Sequence, residues 1–221
     1  MANPLRDNIM AYLCQVPYFK EYKYRKRDRT LTRAMPWGSF SIEFLMWQSW
    51  DSEVDDYACE VIPNYHLRFD VAKKWFEKFG VKPLRDQRDQ STIMFGGQHF
   101  GFQPSFLFLY DASDFDIKIA QLREDATLIS DLVLSEYGSL EKMYRKKIEP
   151  VQEWPDSASD VDWHFEYLKI CSIVNPDGYY DFKAKIIDRI NYTFNRKYPN
   201  PSLLKYRDKL DAIFADIEQT L

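Results

Sequence analysis

The sequence predicts an α+β fold: an antiparallel β-meander sheet packed by helices and followed by a C-terminal helical extension. Between residues 20 and 69, apolar and polar residues alternate with a period of two, which is typical of strands with one buried face. From residue 113 onward, apolar residues recur every three to four positions, which is typical of helices. Because the links between the alternating segments are short, we expect these strands to pair in sequence order.

The central strand of the predicted sheet runs from Phe40 to Trp50. Its even-numbered residues up to Met46 are apolar, whereas Glu43 and Trp47 belong to the odd-numbered set. We therefore expect the even face to cover the core. Alternation or short β-prone runs predict further strands at 20–27, 30–35, 57–69, 92–95 and 105–110. The glycine-containing segment 96–101 indicates a turn, because a phosphate-binding loop would end in Lys–Ser/Thr and lead into a helix.

Helices are predicted on both sides of the strand-forming region. An N-terminal amphipathic helix places Leu5, Ile9 and Tyr12–Leu13 on one side. In Asp70 to Phe79, Asp70 is the expected N-cap, and the apolar stripe is Val71, Trp75 and Phe79. A long helical stripe from Phe115 to Val133 is predicted to stop near Gly138, and Ser139 is predicted to cap a short basic helix. Further helices are predicted over 161–174, 179–196 and 202–221. The side chains expected to be buried include Phe44, Val61, Trp75, Ile129 and Ile186.

Pro150 to Ser159 is rich in Pro, Ser and Asp and is the best candidate for a linker. It divides the chain into a sheet domain with the long helix, 1–150, and a helical extension, 151–221. The length of 221 residues is equally compatible with one single domain overall.

Composition predicts a cytoplasmic protein. Three cysteines far apart, Cys14, Cys59 and Cys171, argue against a disulfide scaffold and for a reducing compartment. The N-terminal apolar stretch contains Arg6 and Asp7, which argues against a signal peptide. No apolar run approaches the roughly 20 residues that span a bilayer, so no membrane association is expected. The net charge of −4 does not indicate a polyanionic partner.

Three polar residues are candidates for acid–base catalysis. Glu43, Glu60 and His66 are expected on the polar face of adjacent strands, where close carboxylates would shift each other's pKa. A solvated face held by cross-strand ion pairs explains the same pattern without catalysis. No nucleophile elbow, cofactor loop or zinc motif is present, and His66, His99 and His164 lack partners at ligand spacing. We therefore expect no metal and no cofactor, and an enzyme is only an alternative.

Charged residues are segregated along the chain and suggest binding surfaces. The basic run Lys20 to Arg33, with Lys23, Arg25 and Arg33, is interleaved with tyrosines, as in some surfaces for single-stranded nucleic acid. Charge on an edge hairpin also discourages edge pairing, which is the simpler explanation. Acidic side chains that could steer a basic protein partner are Asp51, Glu53, Asp55 and Asp56. The tryptophans considered as interface anchors are Trp50, Trp154 and Trp163.

The order of these segments resembles a family of uncharacterised bacterial proteins known only as a domain of unknown function. The residues that carry the resemblance are Tyr24 to Arg33, the strand ending Trp47-Gln48-Ser49, and the long helix ending in Glu136 to Glu141. The resemblance covers residues 1–150. Some relatives occur near polymorphic-toxin or contact-dependent inhibition loci, where immunity proteins are common. The resemblance therefore implies a non-catalytic, immunity-like protein that binds another protein, and it carries over no catalytic residues.

Overall fold

A computed structural model of the protein describes residues 4–51, 56–79, 91–109, 114–150, 161–195 and 206–221. The chain divides into two units. The sheet unit comprises Met1–Leu67 and Ile93–Ser135, and the helical unit comprises Arg68–Thr92 and Glu136–Leu221. The linker predicted from the sequence lies outside the described residues except for Pro150, and the division at residue 150 stays a prediction.

An antiparallel sheet of six strands is present in the described residues, which confirms the predicted α+β class and the meander. Strands β1 to β5 follow one another in sheet order, and β6 also pairs with β4. The strands are β1 (Lys23–Arg25), β2 (Thr30–Met35), β3 (Gly38–Asp51), β4 (Asp56–Phe69), β5 (Ile93–Gly96) and β6 (Phe106–Leu109).

The long strand β4 has two successive partners along one edge. Residues 58–61 pair with β6, and residues 64–67 pair with β5. Pro63 lies between these two registers and is buried. Proline lacks an N–H and is normally excluded from central strands. Here it falls at the junction between two partners, so neither paired segment includes it.

Alternation along the strands separates a buried inner face from an outer face. On β3, Phe40, Ile42 and Phe44 are fully buried and Met46 nearly so. On β4, the odd-numbered residues from Cys59 to Leu67 are buried, as the sequence predicts. The first strand is shorter than predicted, because Pro17–Glu21 forms a 3-10 turn and β1 begins at Lys23. A proline at the first position favours such a turn over an extended strand.

Two helices contribute further buried apolar side chains to the sheet unit. Helix α1 (Pro4–Cys14) buries Leu5, Ile9 and Leu13, whereas Tyr12 is exposed and contacts the ring of Phe115. Helix α3 (Phe115–Tyr137) buries the predicted stripe at Ile119, Leu122, Ala126, Ile129 and Val133. The ring of Phe115 also contacts Phe108 of β6, which joins α3 to the inner face.

The helical unit is organised around a buried helix. Helix α5 (Val161–Val174) has every described side chain from His164 to Ser172 buried. The ring of Phe165 contacts Phe76, Tyr206 and Phe214. Ser139 caps helix α4 (Leu140–Met143), as predicted, and a π-helical turn at Tyr144–Ile148 continues it. The helices are α2 (Asp70–Glu77), α4 (Leu140–Met143), α5 (Val161–Val174), α6 (Tyr179–Phe194) and α7 (Leu210–Glu218).

Helix α2 differs from its prediction in three ways. Asp70 is the first helical residue, not the N-cap, and its carboxylate contacts Arg68 and Lys74. The buried residues are Ala72, Lys73 and Phe76, whereas Val71 on the predicted stripe is 41% exposed. Trp75 is half-buried, not buried, and its indole N–H donates to Asp216 at 2.7 Å.

Candidate functional site

The outer face of the sheet unit combines polar and apolar side chains on strands β3 to β6. Strand alternation places Glu43, Leu45 and Trp47 of β3 on this face. The register then adds Met94, which is opposite His66, and Leu107, which is opposite Glu60. Trp47, Met94 and Leu107 are 43%, 45% and 37% exposed. We call this surface the outer face; its members are Ser41, Glu43, Leu45, Trp47, Glu60, Ile62, Asn64, His66, Met94 and Leu107.

At one end of the outer face, Glu43 contacts His66. The distance between Glu43 Oε2 and His66 Nε2 is 3.4 Å, and both side chains are partly shielded from solvent. The contact with His66 holds the pKa of the Glu43 carboxyl below its usual value. Burial opposes this shift, and the charges of Arg29 and Arg25 add to it.

At the other end of the outer face, Glu60 contacts Trp47 and does not join the Glu43–His66 pair. The indole Nε1–H of Trp47 donates to Glu60 Oε2 at 2.5 Å. Glu60 and His66 are six residues apart on one strand, which corresponds to about 20 Å. The structure therefore divides the three candidate catalytic residues between two places, and the carboxylate pair needed for mutual pKa shifts does not form.

The predicted basic residues are also divided between the two faces. Lys23 and Arg25 of β1 lie opposite Thr32 and Thr30, on the side of the outer face, and Thr30 in turn lies opposite Glu43. Arg33 lies opposite Phe40, which places its Cβ on the inner side of the sheet. Its guanidinium forms an ion pair with Glu21 at 3.0 Å.

Carboxylates neutralise several charges of the basic run. Arg25 contacts Asp28 at 2.9 Å, and Lys26 contacts Asp7 at 3.2 Å. Arg29 has a left-handed backbone with φ of 51° and donates from Nε to the carbonyl of Phe44. These contacts use part of the hydrogen-bonding capacity that phosphate groups would need.

The predicted acidic loop joins β3 to β4. Strand β3 ends at Asp51 and β4 begins at Asp56, whereas Glu53 and Asp55 lie outside the described residues. The side chains of Asp51 and Asp56, and the anchor candidates Trp50, Trp154 and Trp163, also lie outside the described side chains. The sequence places Trp47 on the polar side of β3, and that position is the signal by which this exposed tryptophan could have been recognised.

Neither a metal cluster nor a membrane span is found within the described ranges. No group of three or more His, Cys, Asp or Glu residues there could hold a metal ion. His99 Nδ1 accepts from the backbone N–H of Gly96, and His66 contacts Glu43. No helix in the same ranges is long and apolar enough to cross a bilayer.

Comparisons with known proteins add no relative. No protein-family model matches the chain, and no curated protein or solved structure matches it.

Proposed function

We propose that this chain is a non-catalytic, immunity-like cytoplasmic protein that binds a basic protein partner through the outer face. The observation that carries the proposal is Trp47: its side chain is 43% exposed, yet its indole N–H is held by Glu60. Tryptophan is among the residues that contribute most to interface energies. An indole already fixed by a hydrogen bond loses little side-chain entropy when a partner covers it.

The surroundings of Trp47 also suit protein binding. Met94 and Leu107 provide further exposed apolar surface on the neighbouring strands β5 and β6. Exposed apolar groups rimmed by polar residues are typical of interaction sites. Acidic residues follow Trp47 in the sequence between β3 and β4, and negative charge of this kind favours a basic partner.

A second candidate function is acid–base catalysis by Glu43 and His66. The 3.4 Å contact between them favours it, because a carboxylate beside an imidazole can orient the ring for proton transfer. A screen of small-molecule substrates would reveal it as turnover that Glu43→Gln abolishes while Glu60→Gln does not.

The binding proposal is tested with purified components. Affinity capture from the source cells identifies partner candidates, and calorimetry with each purified candidate gives its Kd for wild type and variants. We expect Trp47→Ala to weaken binding roughly 30-fold or more, because hot-spot residues contribute about 2 kcal/mol or more. The matched control is Ile117→Ala, since Ile117 is 72% exposed on α3 of the same unit.

The outcomes of this titration are distinct. Loss of affinity in Trp47→Ala with an unchanged circular dichroism spectrum, and near-wild-type affinity in Ile117→Ala, supports the outer face as the binding surface. Equal affinity of wild type, Trp47→Ala and Ile117→Ala would overturn the proposal.

A further inference from the structure

The Trp47–Glu60 pair presents an unneutralised carboxylate beside an exposed aromatic ring. Glu60 Oε2 accepts from the indole, and Glu60 forms no ion pair with any residue in the described part of the chain. Glu43, at the other end of the outer face, is already paired with His66. The two glutamates of this face therefore differ, and only Glu60 keeps its charge available for a cation from outside.

The chemistry of this pair fits a guanidinium group. A carboxylate oxygen engaged by one N–H donor retains acceptor capacity on both oxygens for further donors. A guanidinium can donate two parallel hydrogen bonds to a carboxylate and can also stack on an indole ring. Lysine would supply charge at one point but neither the planar fork nor the stacking surface.

Apolar residues beside the pair extend the fit to a peptide segment. Leu107 lies directly opposite Glu60 and is 37% exposed, while Leu45 and Ile62 on the same face are half-buried. This surface can receive the methylene groups of a long basic side chain and an apolar neighbour of that side chain.

We propose that Trp47 and Glu60 form the receptor for an arginine side chain of the protein partner, flanked by apolar contacts at Leu107. This inference rests on the proposed protein-binding function and names the chemistry that the partner presents. The acidic residues at Asp51, Glu53, Asp55 and Asp56 favour the same sign of charge on the partner.

The test uses capped peptides and the full chain. The probe is a hexapeptide of alternating arginine and leucine; its counterparts carry citrulline, which is neutral and nearly isosteric, or lysine in place of arginine. Binding is followed by NMR through the indole N–H resonance of Trp47, assigned from the spectrum of Trp47→Phe. We expect the arginine peptide to shift this resonance and to bind at least about 10-fold more tightly than the citrulline peptide, with lysine intermediate.

Variants identify the groups responsible. Glu60→Gln should weaken the arginine peptide by about 10-fold and remove its advantage over citrulline, since the charge-assisted hydrogen bonds are lost. Glu43→Gln is the matched control on the same face and should bind the arginine peptide like wild type. Equal binding of arginine and citrulline peptides, or no effect of Glu60→Gln, would overturn the inference.

Two further results separate this inference from the proposed function. If the peptides leave Trp47 unperturbed but Trp47→Ala still weakens the purified protein partner, the arginine receptor is wrong and the outer face remains the binding surface. If free arginine amide binds as tightly as the peptide, the apolar flank contributes nothing and a protein segment is the wrong occupant.

Discussion

Glu43 and Phe44 are neighbours in β3, but their side chains lie in opposite environments. Phe44 is fully buried on the inner face, and Glu43 is half-buried on the outer face beside His66. Strand geometry produces this contrast, because successive side chains point to opposite sides of the sheet. A substitution at position 44 therefore tests packing, whereas a substitution at position 43 tests electrostatics.

Truncating Phe44 to alanine should lower the free energy of unfolding by about 3–5 kcal/mol, because the change leaves a cavity in a packed core. Urea unfolding followed by circular dichroism measures the loss. Ile117→Ala, at a site 72% exposed, should change stability by no more than about 0.5 kcal/mol. A loss below about 1 kcal/mol for Phe44→Ala would show that its side chain is not part of the core.

Glu43 should contribute stability that depends on pH. The pKa of its carboxyl is lowered from 4.5 in the folded protein, chiefly by the contact with His66. A lowered folded-state pKa contributes stability that is present above the unfolded-state pKa and is lost as pH falls through the folded-state value. We therefore expect the difference in free energy of unfolding between wild type and Glu43→Gln to narrow as pH falls below about 5.

Urea unfolding at a series of pH values checks this difference. In a His66→Ala background, the stability difference made by Glu43→Gln should depend much less on pH, because the contact that chiefly lowers the pKa of Glu43 is absent. A difference that stays constant across the series would contradict the assigned role of the Glu43–His66 contact.

Ion pairs connect the elements of the helical unit. Lys73 of α2 contacts Glu166 of α5 at 2.6 Å, and both side chains are buried. Asp216 of α7 accepts from Trp75 of α2 and from Lys78, which follows α2. Glu218 of α7 accepts from Lys183 of α6. The buried pair specifies which side of α2 faces α5, because a charge left alone there would be costly.

A double-mutant cycle tests the Lys73–Glu166 pair. Lys73→Met or Glu166→Met alone should each cost about 3–5 kcal/mol, since each leaves the opposite group without its charged partner in a buried site. The double variant should be more stable than either single variant, because an apolar pair of similar volume avoids the desolvation of both charges.

Urea unfolding of all four proteins gives the coupling free energy. The matched exposed pair is Lys74→Met with Asp70→Asn, whose ion pair at 2.8 Å is largely solvated and should show a coupling of at most about 1 kcal/mol. Additive losses in the buried pair would show that Lys73 and Glu166 do not stabilise one another.

Charge is segregated over the whole molecule, although the net charge is only −4. The basic run contains β1 and most of β2, and the acidic residues occur in the sequence from the end of β3 to the start of β4. Arg25, Lys26 and Arg33 of the basic run are engaged with Asp28, Asp7 and Glu21. The basic end of the sheet unit therefore presents less charge to an external polyanion than its sequence suggests.

Binding of single-stranded oligonucleotides should accordingly be weak and salt-sensitive. Fluorescence anisotropy with a labelled oligonucleotide should show affinity at low salt that collapses by physiological salt, because the few phosphate contacts release counterions. The double variant Lys23→Ala/Arg25→Ala should reduce the low-salt affinity, and Ile117→Ala should not. Tight binding that persists at physiological salt and is lost in the double variant would favour a nucleic-acid-associated protein.

Local sequence patterns determined the elements and the faces of the sheet. The period of two in β3 and β4 predicts the buried sides of both strands correctly, and the helical stripe of α3 predicts residues 119–133. These predictions depend only on neighbouring residues, since side-chain direction follows directly from the backbone period. The same alternation placed Glu43, Glu60 and His66 together on one face, but it gave no distance between them.

Only the tertiary structure decided which residues meet. Contacts between distant segments place His66 beside Glu43 and Glu60 beside Trp47. They also place Pro63 between the segments of β4 that pair with β6 and with β5. They also bury Lys73, which the apolar pattern of α2 assigns to the exposed side. Lys73 contacts Glu166, which is 93 residues away in sequence, so the pattern of α2 alone does not reveal this contact. Strand register and ion pairing of this kind depend on long-range packing, which the local hydrophobic pattern does not contain.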